Sequence, residues 1–383
     1  MGKGEKRKGM PLMKVVIAMD SFKGSISSLE AAGAVSEGIR RVHPYAEIVT
    51  LPLADGGEGT VDALIAGLGA ERVFAQVSGP LGEPVTAQYG LKDELAVMEM
   101  AAAAGLPLVP AEKRDGISAS TYGVGEMIAH ALRRGCRRFV MGIGGSATTD
   151  GGMGMLQALG FSFRDASGNE VGRGAKALPD VASISAENVM PELKDAEFSI
   201  ACDVNNPLCG PRGSAAVYGP QKGLKDVETT DAHMASYARV CAEFTGKDMR
   251  DYPGAGAAGG LGFGFLTFLN AKLHSGVDLV LDTVGIDSAL DGAYIAVTGE
   301  GRIDAQTAMG KAPGGVAKRA KAHGCRVIAF SGCVTDDARA VNQQGIDAFF
   351  PILRNPVTLE EALDNDNARH NLTNTAEQVF RLL

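Results

Sequence analysis

At 383 residues the chain is long enough for two or three domains, and 45% hydrophobic with 21% charged residues is the balance of a globular enzyme, not of a disordered or fibrous chain. A net charge of −8, from 37 basic and 45 acidic residues, argues against nucleic acid or an anionic membrane as partner, since either would want a basic face. No apolar run approaches the roughly 20 residues of a membrane span, and the opening MGKGEKRKGMPLM lacks the apolar centre of a secretory signal, so a cytoplasmic location is expected.

In chain order, Lys14 to Asp20 (KVVIAMD) is a continuous β-rich run, and Ser27-Ser28-Leu29-Glu30 is a capping-box pattern that opens a helix to about Val42. Leu29, Ala32, Val35, Ile39 and Val42 fall three or four apart and predict its apolar face, and Pro44 stops it. Glu47 to Leu53 predicts a second strand and ADGGEGT a second helix, so the order is that of a parallel sheet. VSGPLGEPVTAQYG, from Val77, predicts a hairpin, followed by a strand at Glu94 to Met100, a helix at Thr121 to Arg134 and a strand at Phe139 to Ile143. A helix through Leu159 follows the glycine run GIGGSATTDGG. Near the end, strand (Ala293 to Thr298), loop (GEGRIDAQTAMGKAP), helix (Gly315 to His323) and strand (Arg326 to Ser331) repeat the alternation of the beginning. A strand at Asp347 to Leu353 and a helix at Thr375 to Leu382 close the chain.

Both ends therefore read as halves of one doubly wound, parallel-sheet (Rossmann- or flavodoxin-like) α/β domain. The expected boundaries are 1–76 and 292–383 for that discontinuous domain and 77–291 for a second, different α/β domain inserted in it.

In such a sheet ligands bind beyond the carboxyl ends of the strands. The loop Asp20-Ser21-Phe22-Lys23-Gly24-Ser25 packs a carboxylate, a hydroxyl and an ammonium between a strand and a capped helix, which suits anion or substrate capture. Asp55 and Glu58 stand among glycines in ADGGEGT, where a cation or substrate hydroxyls would offset their repulsion of an anion. Glu300, Arg302, Asp304, Gln306, Thr307 and Lys311 make GEGRIDAQTAMGK denser in polar groups than a turn requires. Asp203, with Asn205 and Asn206, has the donor chemistry for a hard cation.

Two glycine-rich stretches remain. Gly144, Gly145, Ser146, Thr148 and Asp150 lie in GIGGSATTDGG, and Gly256, Gly259 and Gly260 in PGAGAAGGLGFG. Either can cradle a phosphate, or be a turn or close-packing segment. The first lacks the lysine of a Walker loop, so a cation would come from Lys23, Lys222, Lys311 or Mg²⁺, and Asp150 either faces the ligand or caps the helix behind the loop. No glycine fingerprint falls in the first βαβ unit with an acidic residue at the right distance, so a dinucleotide site is poorly supported. The six cysteines form no C-x-x-C pairs and lie far from the six histidines, so reduced thiols without structural zinc are expected. Glycine beside Asp, Ser/Thr and occasional Lys is the set that phosphoryl transfer asks for.

Six segments in order, DSFKGSISS, PLADGGEGT, GIGGSATTDGGMGMLQALG, ACDVNNPLCGPRGSAAVYGPQKG, PGAGAAGGLGFG and TGEGRIDAQTAMGKAP, resemble the bacterial glycerate kinase family of the glycerate 2-kinase, non-P-loop type. The resemblance runs from about Lys14 to the end. It implies ATP- and Mg²⁺-dependent phosphorylation of D-glycerate to 2-phosphoglycerate, with the active site in the cleft of a two-domain α/β fold. Under it, Lys23 or Arg302 would hold the glycerate carboxylate. Asp20, Ser21, Asp55 and Glu58 would bind the rest of the substrate, and Gly144, Gly145, Ser146, Thr148, Asp150, Gly256, Gly259 and Gly260 the nucleotide phosphates. Asp304 and Asp203 are the candidates for catalytic base or Mg²⁺ ligand, with Lys311 beside them. Whether the enzyme is a homo-oligomer is left open. The alternatives are phosphorylation at the 3-hydroxyl or of another small hydroxy acid, a dehydrogenase, and a non-catalytic sugar-acid binder.

Overall fold

The computed structural model of the chain describes residues 13–54 and 59–383. Its strands are β1 (Lys14–Met19), β2 (Glu47–Pro52), β3 (Glu71–Ser78), β4 (Pro84–Lys92), β5 (Leu95–Glu99), β6 (Arg138–Gly142) and β7 (Ser162–Arg164). They continue with β8 (Ser183–Ser185), β9 (Glu197–Ala201), β10 (Lys272–His274), β11 (Ile295–Ile303), β12 (Arg326–Val334) and β13 (Ala348–Pro351). The chain divides into two compact units, Met1–Asp55 with Val280–Leu383, and Gly56–Leu279.

The first unit is a five-stranded sheet, every neighbouring pair parallel, in the order β13-β12-β11-β1-β2. Numbered within the unit this is the doubly wound order 2-1-3-4-5, with its switch point between β1 and β11. β1 is buried from Val15 to Met19, as a central parallel strand with both faces covered must be. The helix Ser28–Val42 starts with the expected box: Glu30 N–H donates to Ser27 Oγ at 3.3 Å and Ser27 N–H to Glu30 Oε2 at 2.9 Å. Its buried face is Ala31, Ala32, Ala34, Val35, Gly38 and Ile39, packed against the helix Asn365–Phe380. Leu29, expected on that face, is 55% exposed. At 3.6 residues per turn it stands more than a quarter turn from the centre of the face, which is set by small residues. At Gly38 a methyl group would sit 2.4 Å from Thr373 O, so only glycine allows the two helices this approach.

Two further expectations are revised. β11 runs on to Ile303 and β12 to Val334, paired at Arg302↔Cys333 and Ile303↔Val334, so Gly299 to Ile303 is strand and not loop. The last helix starts at Asn365, where Asp364 accepts the N–H of Asn367 at 2.9 Å as its cap.

The second unit is a six-stranded sheet ordered β10-β9-β6-β5-β4-β3. β3 and β4 form the hairpin, β4 pairs β5 antiparallel, and β5, β6, β9 and β10 run parallel. The boundary expected at 76/77 falls inside β3, because β3 pairs with β4 along its whole length and the helix Thr60–Leu68 packs on β4 and β5. The second boundary falls at 279/280, earlier than the expected 291/292. Buried aromatics fill this core, with Phe139 and Phe198 stacked at 4.7 Å between ring centroids. No helix of the described residues is long and apolar enough to cross a membrane.

Candidate active site

In the first unit a cavity of about 340 Å³ lies at the carboxyl ends of β1, β11 and β12, at the switch point. Asp20, Lys23, Glu300, Arg302, Asp304 and Lys311 bring three carboxylates and three cations to its lining. Phe22, Ile352, Leu359 and Leu363 supply an apolar side. Asp20 follows the last residue of β1 and is 4% exposed, and its Oδ1 accepts the N–H of Ser21 at 2.6 Å. Phe22 N–H bonds Ile26 O at 2.8 Å, folding residues 22–26 into a tight loop with Lys23 exposed on it. That loop lies over β11 beside Gly301, where an added methyl group would meet Lys23 N and Phe22 Cα at an ordinary contact distance of 3.5 Å.

Glu300 and Asp304 are tied through Thr307. Its hydroxyl donates to Glu300 Oε1 at 2.7 Å and accepts Asp304 N–H at 3.2 Å. Asp304 Oδ1 accepts the N–H of Gln306 at 2.9 Å and of Thr307 at 3.3 Å, while its Oδ2 lies 3.6 Å from Arg302 Nε. Lys311, the residue before the helix Ala312–Ala322, has its Nζ 3.7 Å from Glu300 Oε2. Burial pushes the Glu300 carboxyl above the usual range, against the Thr307 hydrogen bond and the Lys311 charge, which pull it down. Glu300 carried no assigned role in the sequence reading, because a glutamate expected in a loop does not announce itself as a buried strand-end carboxyl.

In the second unit GIGGSATTDGG follows β6. Gly144 and Gly145 are exposed, Gly145 at φ +73°, and among the described residues no acceptor is paired with the N–H groups of Gly144, Gly145 or Ser146. Such unpaired amides suit an anion. Beneath them Lys222, 3% exposed, donates from Nζ to Ser146 Oγ at 2.6 Å and to Thr148 O at 2.7 Å. Burial pushes this ammonium down to about 7, against the raising effect of the Asp150 carboxylate.

Several residues expected to meet phosphates turn inward. Asp150 is fully buried and accepts from Thr121 N at 2.7 Å, Thr121 Oγ1 at 3.0 Å and Gly152 N at 3.2 Å, so it braces the loop from behind. Burial raises its carboxyl in spite of those bonds. Thr148 is fully buried, with an Oγ1 that has no partner among the described residues. Gly256, Gly259 and Gly260 are buried as well. A methyl group at Gly259 would lie 1.9 Å from Thr148 O, at Gly256 2.1 Å from Pro207 O, and at Gly260 2.8 Å from Gly151 Cα. These glycines let backbone pack on backbone under the loop. Asp203, exposed after β9, accepts Gly276 N–H on Oδ1 at 2.9 Å and lines a surface depression with Asn205 and His274. Asp55 and Glu58 lie outside the described residues.

The sequence model of the glycerate kinase family matches residues 15–383. The chain is 47% identical over 357 residues to a glycerate kinase of Bacillus subtilis (strain 168), covering 92% of this chain and 94% of that one. To the glycerate 2-kinase of Escherichia coli (strain K12) it is 47% identical over 355 residues, 91% of this chain and 93% of that one. The crystal structure of a chain called glycerate kinase 2, from Salmonella typhimurium LT2, is similar with a TM-score of 0.89 at 43% identity, over 97% of this chain and 98% of that one. With a doubly wound α/β unit, a charged cavity at its switch point and matches along nearly its whole length, this chain belongs to the glycerate kinase family and is an enzyme.

Proposed function

We propose that the enzyme transfers the γ-phosphoryl group of ATP to the C2 hydroxyl of D-glycerate, giving 2-phosphoglycerate and ADP. The observation that carries this reading is the switch-point cavity, where cations and carboxylates alternate in a volume of about 340 Å³ suited to a three-carbon hydroxy acid. The name of the Escherichia coli relative supports the 2-position.

In this reading Lys23 and Arg302 hold the substrate carboxylate, and Asp20 takes a hydroxyl hydrogen bond. The C2 oxygen attacks the γ-phosphorus, the bond from phosphorus to the ADP oxygen breaks, and the hydroxyl proton passes to Asp304, whose carboxylate is steadied by two backbone N–H groups. Lys311 faces the charge that develops on the transferred group.

Mg²⁺ on a nucleotide asks for one or two carboxylates, the remainder of its shell being phosphate and water. Glu300 fits that demand with Asp304 kept for the proton, and among the described residues no group of three or more His, Cys, Asp or Glu forms a protein-only cage. The ion would neutralise phosphate charge there.

The reading is tested by ADP release with D-glycerate against L-glycerate, glycerol and lactate, and by NMR of the product. No D-glycerate-dependent ADP with Mg²⁺ present would sink it, and a 3-phosphate would move the acceptor oxygen. Asp304→Ala is expected to lower kcat by about 10²-fold or more, and a fall under about tenfold removes it as base.

A further inference from the structure

The glycine loop also borders a second cavity, of about 460 Å³, whose described lining residues all belong to the second unit. It opens at the carboxyl ends of the parallel neighbours β5 and β6, where Glu99 and Gly142 are register partners. Val61, Ala102 and Leu108 make one side apolar, and Leu108 is a large hydrophobic residue 36% exposed. Gln88 of β4 also lines it. Among the described residues of the lining the one formal charge is the Glu99 carboxylate, whose Oε1 accepts the N–H of Val61 at 3.1 Å. Gly144 and Gly145, both exposed, line it as well.

This chemistry differs from that of the switch-point cavity, where three cations stand among three carboxylates. A hydroxy acid here would bring its carboxylate toward that of Glu99 and would leave the apolar residues uncovered. A nucleoside matches each surface. A flat base covers Leu108, Val61 and Ala102, its polar edge reaches the Gln88 amide, and the ribose hydroxyls meet an acidic group, as they do in other nucleotide-binding sheets. The phosphates then leave the cavity past the unpaired amides of Gly144 and Gly145.

We infer that this cavity is the nucleoside subsite of the phosphoryl donor, with Glu99 bonding the ribose hydroxyls and Leu108 and Ala102 forming the platform for the base. The inference rests on the kinase reading above and adds where the donor's non-reacting end is held.

Titration calorimetry with ADP and 2′-deoxy-ADP tests it on the full chain, alongside KM values for ATP and D-glycerate. Ala102→Phe fills the cavity and is expected to raise the ADP dissociation constant and the ATP KM by about tenfold or more, with the D-glycerate KM within about twofold. Leu108→Ala, a truncation at a partly exposed site, should weaken ADP by about three- to fivefold and keep the thermal midpoint. Wild type should prefer ADP to 2′-deoxy-ADP, and Glu99→Gln should narrow that preference. If Ala102→Phe misfolds, the other two variants decide.

Nucleotide constants unchanged in Leu108→Ala, or a ribose preference that is absent in wild type or intact in Glu99→Gln, overturn the subsite. An enzyme that binds ADP as described but releases none with D-glycerate sinks the kinase reading and not the cavity. Glycerate-dependent turnover with unaltered nucleotide constants in the variants sinks the cavity alone.

Discussion

Lys222 is held beneath the glycine loop by Ser146 Oγ and Thr148 O, and burial brings its ammonium to about 7 from an ordinary 10.5. Between those values the unfolded chain carries the proton and the folded chain does not, so this residue makes stability rise with pH across that window. Asp150, whose carboxyl burial raises, works in the opposite sense: the folded form keeps its proton longer, and stability falls as pH climbs from the ordinary aspartate value through the raised one. Comparing wild type with Lys222→Met isolates the lysine. Urea unfolding from about pH 6 to about pH 9 should show the wild-type advantage growing with pH, and a constant difference would mean that the ammonium is not depressed. Lys222 was legible in the sequence only as one of several spare cations. What brings it under Ser146 is the fold of a loop 76 residues away along the chain, which no local spacing encodes. Asp20, by contrast, stood out because it ends an apolar strand run, and Asp304 because its loop is denser in polar groups than a turn requires, and the cavity does bring them together.

Glycines within strands decide whether the elements can meet. A methyl group at Gly299 on β11 would lie 2.1 Å from Phe330 O of β12, and one at Gly332 would lie 2.5 Å from Gly301 O. Gly299→Ala is expected to cost about 1–3 kcal/mol and to lower Tm by several degrees in a thermal melt. Gly144→Ala should leave Tm nearly unchanged, because nothing stands within 4 Å of the added carbon and the site is not left-handed. A fall as large as that for Gly299 would show that the loop is packed and not open. The contrast explains why two glycine-rich stretches looked alike in sequence. Glycine is demanded both where an amide must face a ligand and where backbone presses on backbone, and composition does not separate the two. Strands, the capped first helix and the hairpin were readable because alternation, apolar runs and caps are local signals. The extension of β11 through Gly299 to Ile303 was not, because glycine and charged residues there mimic a loop until pairing with β12 overrides propensity.

At the scale of the molecule, the second unit is one continuous stretch with its own sheet and aromatic core. A fragment covering residues 56–279 is therefore expected to unfold cooperatively by itself, as seen by a sigmoidal urea transition, whereas residues 13–55 alone should stay unfolded. A gradual, non-cooperative transition of the longer fragment would show that its core is incomplete. The reason for the second expectation is that β1 is central: its partner on one side, β11, begins at Ile295. In a cell this has a temporal consequence. The first strand emerges from the ribosome, then waits while the whole second unit is made, on the order of ten seconds to a minute at about 5–20 residues per second, before its inner neighbour exists. During that interval the apolar run KVVIAM is an unpaired edge, the kind of segment on which nascent chains aggregate, so slowed translation beyond Leu279 should raise the share of this protein that needs a chaperone.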